Sequence, residues 1–189
     1  MNSVLLACGR DKSREALTGL LVTSDFSQVT VAENGSEARR MLLAADYDLI
    51  IIDAPLPDEF GHDFALYAAE NTASGVLILA KAELADSVAA KAEDYGVAVV
   101  AKPMNRQLFF QAVKLVTVSR RRLLGLRDEN LQLQKKIEEI RLVDRSKYAL
   151  MQYLKMTEPQ AHRYIEKQAM DLRITRREVA LNILKTYEV

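Results

Sequence analysis

Two residues in the first part of the chain, an aspartate and a lysine, have side chains that could perform chemistry. Each lies at the end of an apolar run. Asp53 ends "YDLIIID", and Lys102 follows "VAVVA". Both runs have the composition of a buried strand in a parallel sheet, and the carboxyl ends of such strands form the edge where ligand sites lie. Two interpretations follow: Asp53 is a reactive carboxylate with Lys102 as its partner, or the two residues form a structural ion pair.

The pattern around these residues alternates between predicted strands and helices. Five apolar or β-branched runs are each followed by a segment with apolar residues at helical spacing. The runs occupy residues 3–8, 28–34, 47–53, 75–81 and 97–103. Strict alternation is typical of the α/β class, so we predict a doubly wound, five-stranded parallel sheet of the flavodoxin-like type.

Composition argues against several classes of protein. No apolar segment approaches the roughly 20 residues that a membrane helix requires, so we expect a cytoplasmic protein that does not contact membranes. The single cysteine, Cys8, cannot form an internal disulfide, and the two histidines, His62 and His162, lie far apart. A zinc enzyme is therefore not expected, and we predict no enzymatic activity and no bound metal.

The net charge of zero hides a division of charge along the chain. Residues 1–120 contain 11 Lys+Arg against 16 Asp+Glu, a net charge of −5, and residues 121–189 contain 15 against 10, a net charge of +5. We predict an α/β domain at 1–120, a coiled-coil linker helix at 121–144 and a small helical domain at 145–189. The oppositely charged parts are expected to meet different partners.

A long helix is predicted from Asn105, because no proline occurs between Pro103 and Pro159 and Gly125 is the only glycine there. Five of its residues have spacings of 4, 3, 4 and 3, namely Leu126, Asn130, Leu133, Ile137 and Ile140. This seam is typical of a parallel coiled-coil dimer in which the asparagine fixes the register. The alternative is a helix that packs on its own α/β domain.

The segment from Arg145 onward is predicted to form three short helices. "TEPQ" at Thr157 and the segment that begins at Thr175 have the pattern of helix N-terminal caps. Thirteen apolar residues at helical spacing would fill a small core. They are Ala149, Leu150, Tyr153, Leu154, Ala161, Tyr164, Ile165, Ala169, Leu172, Val179, Ala180, Ile183 and Leu184.

Basic and polar side chains remain for the surface of this segment. Those that could neutralise RNA phosphates are Lys147, Lys155, Arg163, Lys167, Arg173, Arg176 and Arg177. Gln160, His162 and Gln168 could hydrogen-bond exposed bases in an RNA loop. The alternative is an ordinary solvated helix surface, since acidic residues on the same helices dilute the positive charge.

The first 120 residues resemble response-regulator receiver domains. The motif "DLIIIDAPLPDEFG" carries the resemblance, with Asp53 at the phospho-acceptor position and Pro57 and Gly61 in the following loop. The motif "AKP", with Lys102 and Pro103, adds to it. The resemblance implies that a histidine kinase would transfer a phosphoryl group to the acceptor aspartate in the presence of Mg²⁺.

The sequence departs from the receiver pattern where the chemistry needs support. Cys8 and Gly9 stand in place of the acidic pair that would hold Mg²⁺. Ala80 replaces the hydroxyl that would bind the phosphoryl group, and Val99 replaces the aromatic switch residue. We therefore predict a degenerate receiver without Mg²⁺ or another cofactor, in which Asp53 and Lys102 form an ion pair. Its input would be a protein partner, a constitutive dimer or a small ligand; the alternative is a phosphorylation-dependent response regulator.

The C-terminal segment resembles the ANTAR domain, the RNA-binding output module of transcription antitermination regulators. The resemblance rests on the order of five short stretches, "KYALM", "MTE", "AHRYI", "AM" and "VA", between residues 147 and 180. It implies a homodimer that binds tandem stem-loops in a nascent leader transcript and prevents the terminator hairpin. The alternatives are a protein-interaction module that does not bind RNA and a helix-turn-helix unit that binds DNA.

Overall fold

The computed structural model describes residues 3–22, 26 and 28–187 of the chain, and the remaining residues of the predicted domains lie outside the described part. The strands are β1 (Ser3–Ala7), β2 (Gln28–Ala32), β3 (Leu49–Asp53), β4 (Gly75–Lys81) and β5 (Ala98–Lys102). The helices are α1 (Asp11–Val22), α2 (Gly35–Ala44), α3 (His62–Asn71), α4 (Ala82–Ala92), α5 (Arg106–Leu154), α6 (Glu158–Leu172) and α7 (Arg176–Tyr187).

The five strands form one parallel sheet in the order β2-β1-β3-β4-β5, which confirms the predicted doubly wound α/β fold. Every residue of β3 is buried, as expected for a central parallel strand that is covered on both faces. The register pairs Asp53 with Leu79 of β4 and Lys81 of β4 with Lys102. The ends of β3 and β5 therefore lie at one edge of the sheet, with β4 between them.

Two apolar clusters cover the two faces of the sheet. Ile50 and Ile52 belong to one cluster, and Leu49 and Ile51 belong to the other. This division follows from the pleat of a strand, in which successive side chains point to opposite faces. A continuous apolar run is therefore needed to fill both layers, and it leaves Asp53 as the polar residue at the end of the strand.

The chain forms two compact units, residues 1–124 and residues 125–189. The predicted boundaries at 120 and 144 differ from this division. The structure has no helix boundary at Arg145, because α5 continues to Leu154. The first of the three short helices predicted after that residue is thus the last part of the long helix. No helix among the described residues has the length and apolar character needed to cross a membrane.

Ser146 shows how the long helix continues past the predicted boundary. Its side chain is buried, and its hydroxyl donates a hydrogen bond of 2.8 Å to the carbonyl oxygen of Val143. A serine that bonds back to its own helix in this way is satisfied without leaving the helical conformation. With no proline or glycine nearby, nothing in the local sequence stops α5 before Leu154.

Both predicted caps in the C-terminal unit are confirmed. The Thr157 amide donates to the side-chain oxygen of Gln160 at 2.8 Å, at the start of α6. The Thr175 amide donates to Glu178 at 2.8 Å, and the Glu178 amide donates back to the Thr175 hydroxyl at 3.2 Å. These reciprocal bonds satisfy amides that a helix leaves unpaired at its N-terminus, so the caps set where α6 and α7 begin.

The core of the C-terminal unit is smaller than predicted. Its buried apolar residues are Ala149, Leu150, Ala161, Ile165, Val179, Ala180, Ile183 and Leu184. Four residues predicted to be buried are instead exposed: Tyr153 (52%), Leu154 (43%), Tyr164 (37%) and Leu172 (58%). A unit of three short helical segments buries only a narrow stripe on each. Helical spacing therefore identified the correct face, but it overestimated how much of that face is covered.

Candidate functional site

Asp53 lies at the end of β3 with a cation on each carboxylate oxygen. Lys102 Nζ lies 2.5 Å from Oδ1, and Arg10 Nη2 lies 3.0 Å from Oδ2. The aspartate is only 2% exposed. Burial acts to raise the pKa of Asp53, but the hydrogen bond and charge of Lys102, with the charge of Arg10, outweigh it and hold the pKa below the ordinary value. Asp53 is therefore an ionised, internally neutralised carboxylate.

Sequence reasoning brought Asp53 and Lys102 to this edge but missed Arg10. Arg10 lies in the short loop between β1 and α1. Its side chain is 53% exposed, and its guanidinium contacts Asp53. A basic residue directly after the Cys8 and Gly9 pair, at an edge where two acids were expected, was the signal that could have identified it. Where the acidic pair and its cation are missing, a basic side chain is expected to balance the charge of Asp53, and Arg10 is close enough in sequence to do so.

Cys8 completes the surroundings of Asp53. Its buried Sγ lies 3.4 Å from Asp53 Oδ2 and 3.5 Å from the carbonyl oxygen of Arg10, so the thiol can donate to either. Burial raises the pKa of the Cys8 thiol, and the nearby carboxylate acts in the same direction. The thiol therefore stays protonated and acts as a hydrogen-bond donor.

The residues at this edge do not fit a divalent cation. Mg²⁺ binds oxygen ligands, and both oxygens of Asp53 already face cationic side chains. A Cβ atom at Gly9 would collide with the ring of Pro57, so an acidic residue there would need the loop to shift. Asp11 is exposed and pairs with Arg14 instead. Among the described residues, no group of three or more acidic, His or Cys side chains could hold a metal ion.

Ala80 and Val99, the two other positions that depart from the receiver pattern, have apolar side chains. Ala80 is fully buried one residue beyond Leu79, the register partner of Asp53. Val99 packs, partly buried, against an apolar cluster of the sheet. Neither side chain can bond to a phosphoryl group or change partners in response to one.

The loop after β3 is fastened to the start of α2. Asp58 accepts hydrogen bonds from the amides of Gly35 at 2.8 Å and Ser36 at 2.9 Å, and from the Ser36 hydroxyl at 2.8 Å. These bonds, the one from Gly35 above all, lower the pKa of Asp58 to about 2. Glu59 pairs with Arg39 of α2. The loop that follows the candidate acceptor is thus held by α2.

The predicted dimerisation seam lies on the surface of α5. All five positions, Leu126, Asn130, Leu133, Ile137 and Ile140, are exposed. Leu123, three residues before Leu126, is 66% exposed and continues the heptad spacing by one position. A row of exposed apolar residues along one side of a helix is costly in water unless another surface covers it.

Six of the seven predicted phosphate-binding residues are exposed: Lys155, Arg163, Lys167, Arg173, Arg176 and Arg177. Lys155 and Arg173 directly follow α5 and α6 and have φ angles of 55° and 53°, a conformation that favours glycine. Arg176 and Arg177 occupy the first turn of α7, where the helix dipole disfavours cations. Four of the six thus occupy positions that another residue type would suit better.

Lys147 differs from these six residues. Its ammonium lies 2.9 Å from Asp144 and 2.8 Å from Glu158, and only 16% of its side chain is exposed. The hydrogen bonds to Glu158 and Asp144 raise the pKa of Lys147. This cation therefore connects the end of α5 to the start of α6 within the C-terminal unit.

The three predicted base-contacting residues also have different surroundings. The side-chain oxygen of Gln160 caps α6, as described above, and His162 Nε2 lies 3.3 Å from Glu166 one turn further along the same helix. Gln168 is half-buried and lines a small cavity between the helices of this unit. Of the three, Gln168 is the one that the structure places in a concave site.

Comparison with known proteins matches both parts of the chain. The response regulator receiver domain family matches residues 4–114, and the ANTAR domain family matches residues 131–184. Transcriptional regulatory protein PdtaR of Mycobacterium tuberculosis is 29% identical over 183 residues, which cover 97% of this chain and 89% of that protein. Sensory transduction protein LytR of Staphylococcus saprophyticus is 36% identical over 92 residues, 48% of this chain and 35% of that one.

Solved structures share the fold of the first unit. The signal receiver domain of an HD domain-containing protein from Pseudomonas fluorescens has a TM-score of 0.59 at 20% identity, over 66% of this chain and 92% of that one. Chemotaxis response regulator CheY4 of Vibrio cholerae has a TM-score of 0.53 at 21% identity, over 61% and 98%.

The sheet order and the aspartate and lysine at its edge define a receiver-type regulatory domain, which precedes a small helical output domain. The chain belongs to the response regulator receiver domain family, and its C-terminal part is an ANTAR domain.

Proposed function

We propose that this protein is an RNA-binding transcription antitermination regulator that acts as a homodimer. Its ANTAR domain binds stem-loops in nascent leader RNA and thereby favours transcriptional read-through. The observation that carries the proposal is the exposed group of basic residues at the connection between α6 and α7, Arg173, Arg176 and Arg177. Similarity to a transcriptional regulatory protein along 97% of the chain supports the same role.

The start of α7 is well suited to an RNA phosphate. The dipole of a helix N-terminus attracts anions, and Arg176 and Arg177 add two guanidinium groups next to the cap formed by Thr175 and Glu178. A guanidinium can bind a phosphate through two parallel hydrogen bonds. Arg163 and Lys167, four residues apart on α6, provide a second basic pair on one helix face.

The receiver domain of the proposed regulator works without phosphorylation. Arg10 lies on one oxygen of the buried acceptor carboxylate, and Cys8 and Gly9 stand in place of the acidic pair that would hold Mg²⁺. The input is instead a protein partner, a small ligand or the dimeric state itself. The protein acts in the cytoplasm without a cofactor and without enzymatic activity.

The exposed seam on α5 supports a dimer with a second copy of this chain. Leu123 and Leu126 precede Asn130, and Leu133, Ile137 and Ile140 follow it in the same heptad frame. In a parallel arrangement the two copies of Asn130 meet each other and can exchange hydrogen bonds, which fixes the register. Two ANTAR domains held side by side match a target made of two neighbouring stem-loops.

Selection from a pool of hairpin RNAs tests the proposal. The full-length protein should enrich RNAs that carry two short stem-loops in tandem, and a variant with Arg176→Ala and Arg177→Ala should enrich none. Duplex DNA should fail to compete with the selected RNA. A pool that stays random after selection would contradict RNA binding, and efficient competition by duplex DNA would favour a DNA-binding output instead.

A further inference from the structure

The ANTAR domain contains a small cavity that none of the proposed phosphate-binding residues lines. Its volume is about 200 Å³, and it lies between the end of α5, the second half of α6 and α7. Sites for drug-sized ligands occupy roughly 300–1,000 Å³, so this cavity has room for one compact planar group. Both polar and apolar residues line it, which distinguishes it from a packing defect in the core.

Two tyrosines and two amides give the cavity its chemical character. Tyr164 of α6 and Tyr187 of α7 line it together with Gln168 and Asn182. The ring of Tyr187 is stacked on the ring of Tyr153, with centroids 5.4 Å apart and an interplanar angle of 18°. Tyr153 and Tyr164 are the aromatic residues that helical spacing had assigned to the core, and the structure leaves both partly exposed.

We propose that this cavity binds one unstacked base from the loop of the RNA hairpin, an inference that rests on the proposed function. A base extruded from a loop can stack on a tyrosine ring, and its edge can be read by side-chain amides. Tyr164 and Tyr187 provide the aromatic surfaces, while Gln168 and Asn182 provide both donors and acceptors. An apolar peptide side chain would use the floor of the cavity but would leave the amides without partners.

Charges next to the cavity fit the backbone on either side of such a base. Lys167 lies three residues after Tyr164 on α6, and Lys185 lies three residues after Asn182 on α7, so each is a neighbour of a lining residue on its helix surface. Both lysines are exposed. Phosphates that flank the bound base would meet these cations, and the cavity would supply the sequence preference that phosphate contacts alone cannot give.

The proposal is tested with hairpins that differ at a single loop base, using the full-length protein. Asn182→Ala and Gln168→Ala should each reduce the preference for the best base at one loop position by about tenfold, which is the usual effect of losing one good base contact. The salt dependence of binding should not change, because the phosphate contacts remain. Gln152→Ala, an exposed amide on α5 outside the cavity, is the matched control.

A second pair of variants separates stacking from folding. Tyr164→Phe should keep the affinity, since a phenyl ring stacks as well, whereas Tyr164→Ala should lose it with an unchanged circular dichroism spectrum. If both amide variants discriminate among loop bases as the wild type does, the base pocket is wrong while RNA binding stands. If the wild type binds no hairpin at all, the proposed function fails and the pocket proposal fails with it.

Discussion

The guanidinium of Arg10 lies 3.0 Å from Oδ2 of Asp53, on the oxygen opposite the one that Lys102 contacts. A divalent cation at this carboxylate would be repelled by the positive charge that faces each of its oxygens. The positive charge beside the acceptor aspartate thus comes from two side chains of the receiver itself. Removing the aspartate would leave two cations without their partner, and removing one member of a buried charge cluster is strongly destabilising.

The first prediction concerns this site. Incubation of the protein with a small phosphodonor and Mg²⁺ should give no phosphoryl adduct by intact-mass measurement, because Asp53 is paired with Arg10 and no acidic pair is present to hold Mg²⁺. Arg10→Ala should also give none, since it frees one oxygen of Asp53 but leaves Cys8 and Gly9 in place of the acidic pair. An adduct on the wild-type protein that disappears in Asp53→Ala would contradict the account and restore a phosphorylation-dependent regulator.

A second prediction follows from the loop after β3. The folded-state pKa of Asp58 is about 2, below the ordinary aspartate value of roughly 3.9. A lowered pKa contributes stability that is fully present above the ordinary value and is lost as the pH falls towards 2. Asp58→Asn should therefore be less stable than the wild type near neutral pH, and the difference should shrink as the pH falls from about 4 to about 2.

Urea unfolding at a series of pH values measures this difference. Asp86→Asn removes an exposed carboxylate on α4 and is the matched control. A constant stability difference between the wild type and Asp58→Asn across the acid range would show that the bonds to Gly35 and Ser36 do not hold the loop.

The third prediction concerns the seam on α5. Leu133→Asp should convert the dimer to a monomer in sedimentation velocity, because it places a charge in the apolar seam. Leu131→Asp is the control, since Leu131 is similarly exposed but lies outside the heptad frame. A dimer that survives Leu133→Asp, or a monomeric wild type, would rule out this seam as the dimer interface.

Salt provides a second test of the parallel arrangement. In a parallel dimer Arg122 would lie beside the partner's Arg127, and Lys136 would lie beside the partner's Arg141. Like charges at these flanking positions repel each other, so raising the salt concentration should tighten the dimer. An antiparallel dimer would bring Glu129 near the partner's Lys136 and should weaken as salt rises.

The fourth prediction concerns Arg173. Its φ of 53° suits glycine, so Arg173→Gly should stabilise the protein by up to about 1 kcal/mol while weakening RNA binding. Arg177→Gly should weaken RNA binding in the same way but should not give this gain in stability, because Arg177 lies in the first turn of α7 and has no positive φ. Thermal unfolding and RNA affinity are measured on the same samples. If Arg173→Gly leaves the RNA affinity unchanged, the Arg173 side chain does not bind RNA.

Local and periodic signals were enough to predict most of the fold. The apolar runs gave the parallel sheet, and the position of Asp53 and Lys102 at strand ends placed both at one edge. The caps at Thr157 and Thr175 were predictable because a cap depends on residues only three positions apart. Each of these features is determined by residues that lie only a few positions apart in the sequence.

The remaining features depend on three-dimensional context. Arg10 lies in a loop, and its partner is 43 residues away, so no period connects the two. Tyr153 and Tyr164 have core spacing, but their exposure depends on how many helices surround them. The expected break at Arg145 did not occur because the Ser146 hydroxyl is satisfied within the helix. Spacing predicts the direction of a side chain but not the depth at which it is buried.

The salt dependence of hairpin RNA binding tests the central claim most directly. Each ANTAR domain exposes six of these basic residues, although Arg176 among them lies 3.9 Å from Glu139. Affinity for a tandem stem-loop should therefore fall by about 10³-fold or more between roughly 50 and 200 mM salt. Arg177→Ala should reduce the slope by about one unit, whereas Lys147→Met, which removes a cation already paired within the domain, should leave the slope unchanged. A flat response to salt, or no binding at low salt, would contradict the account.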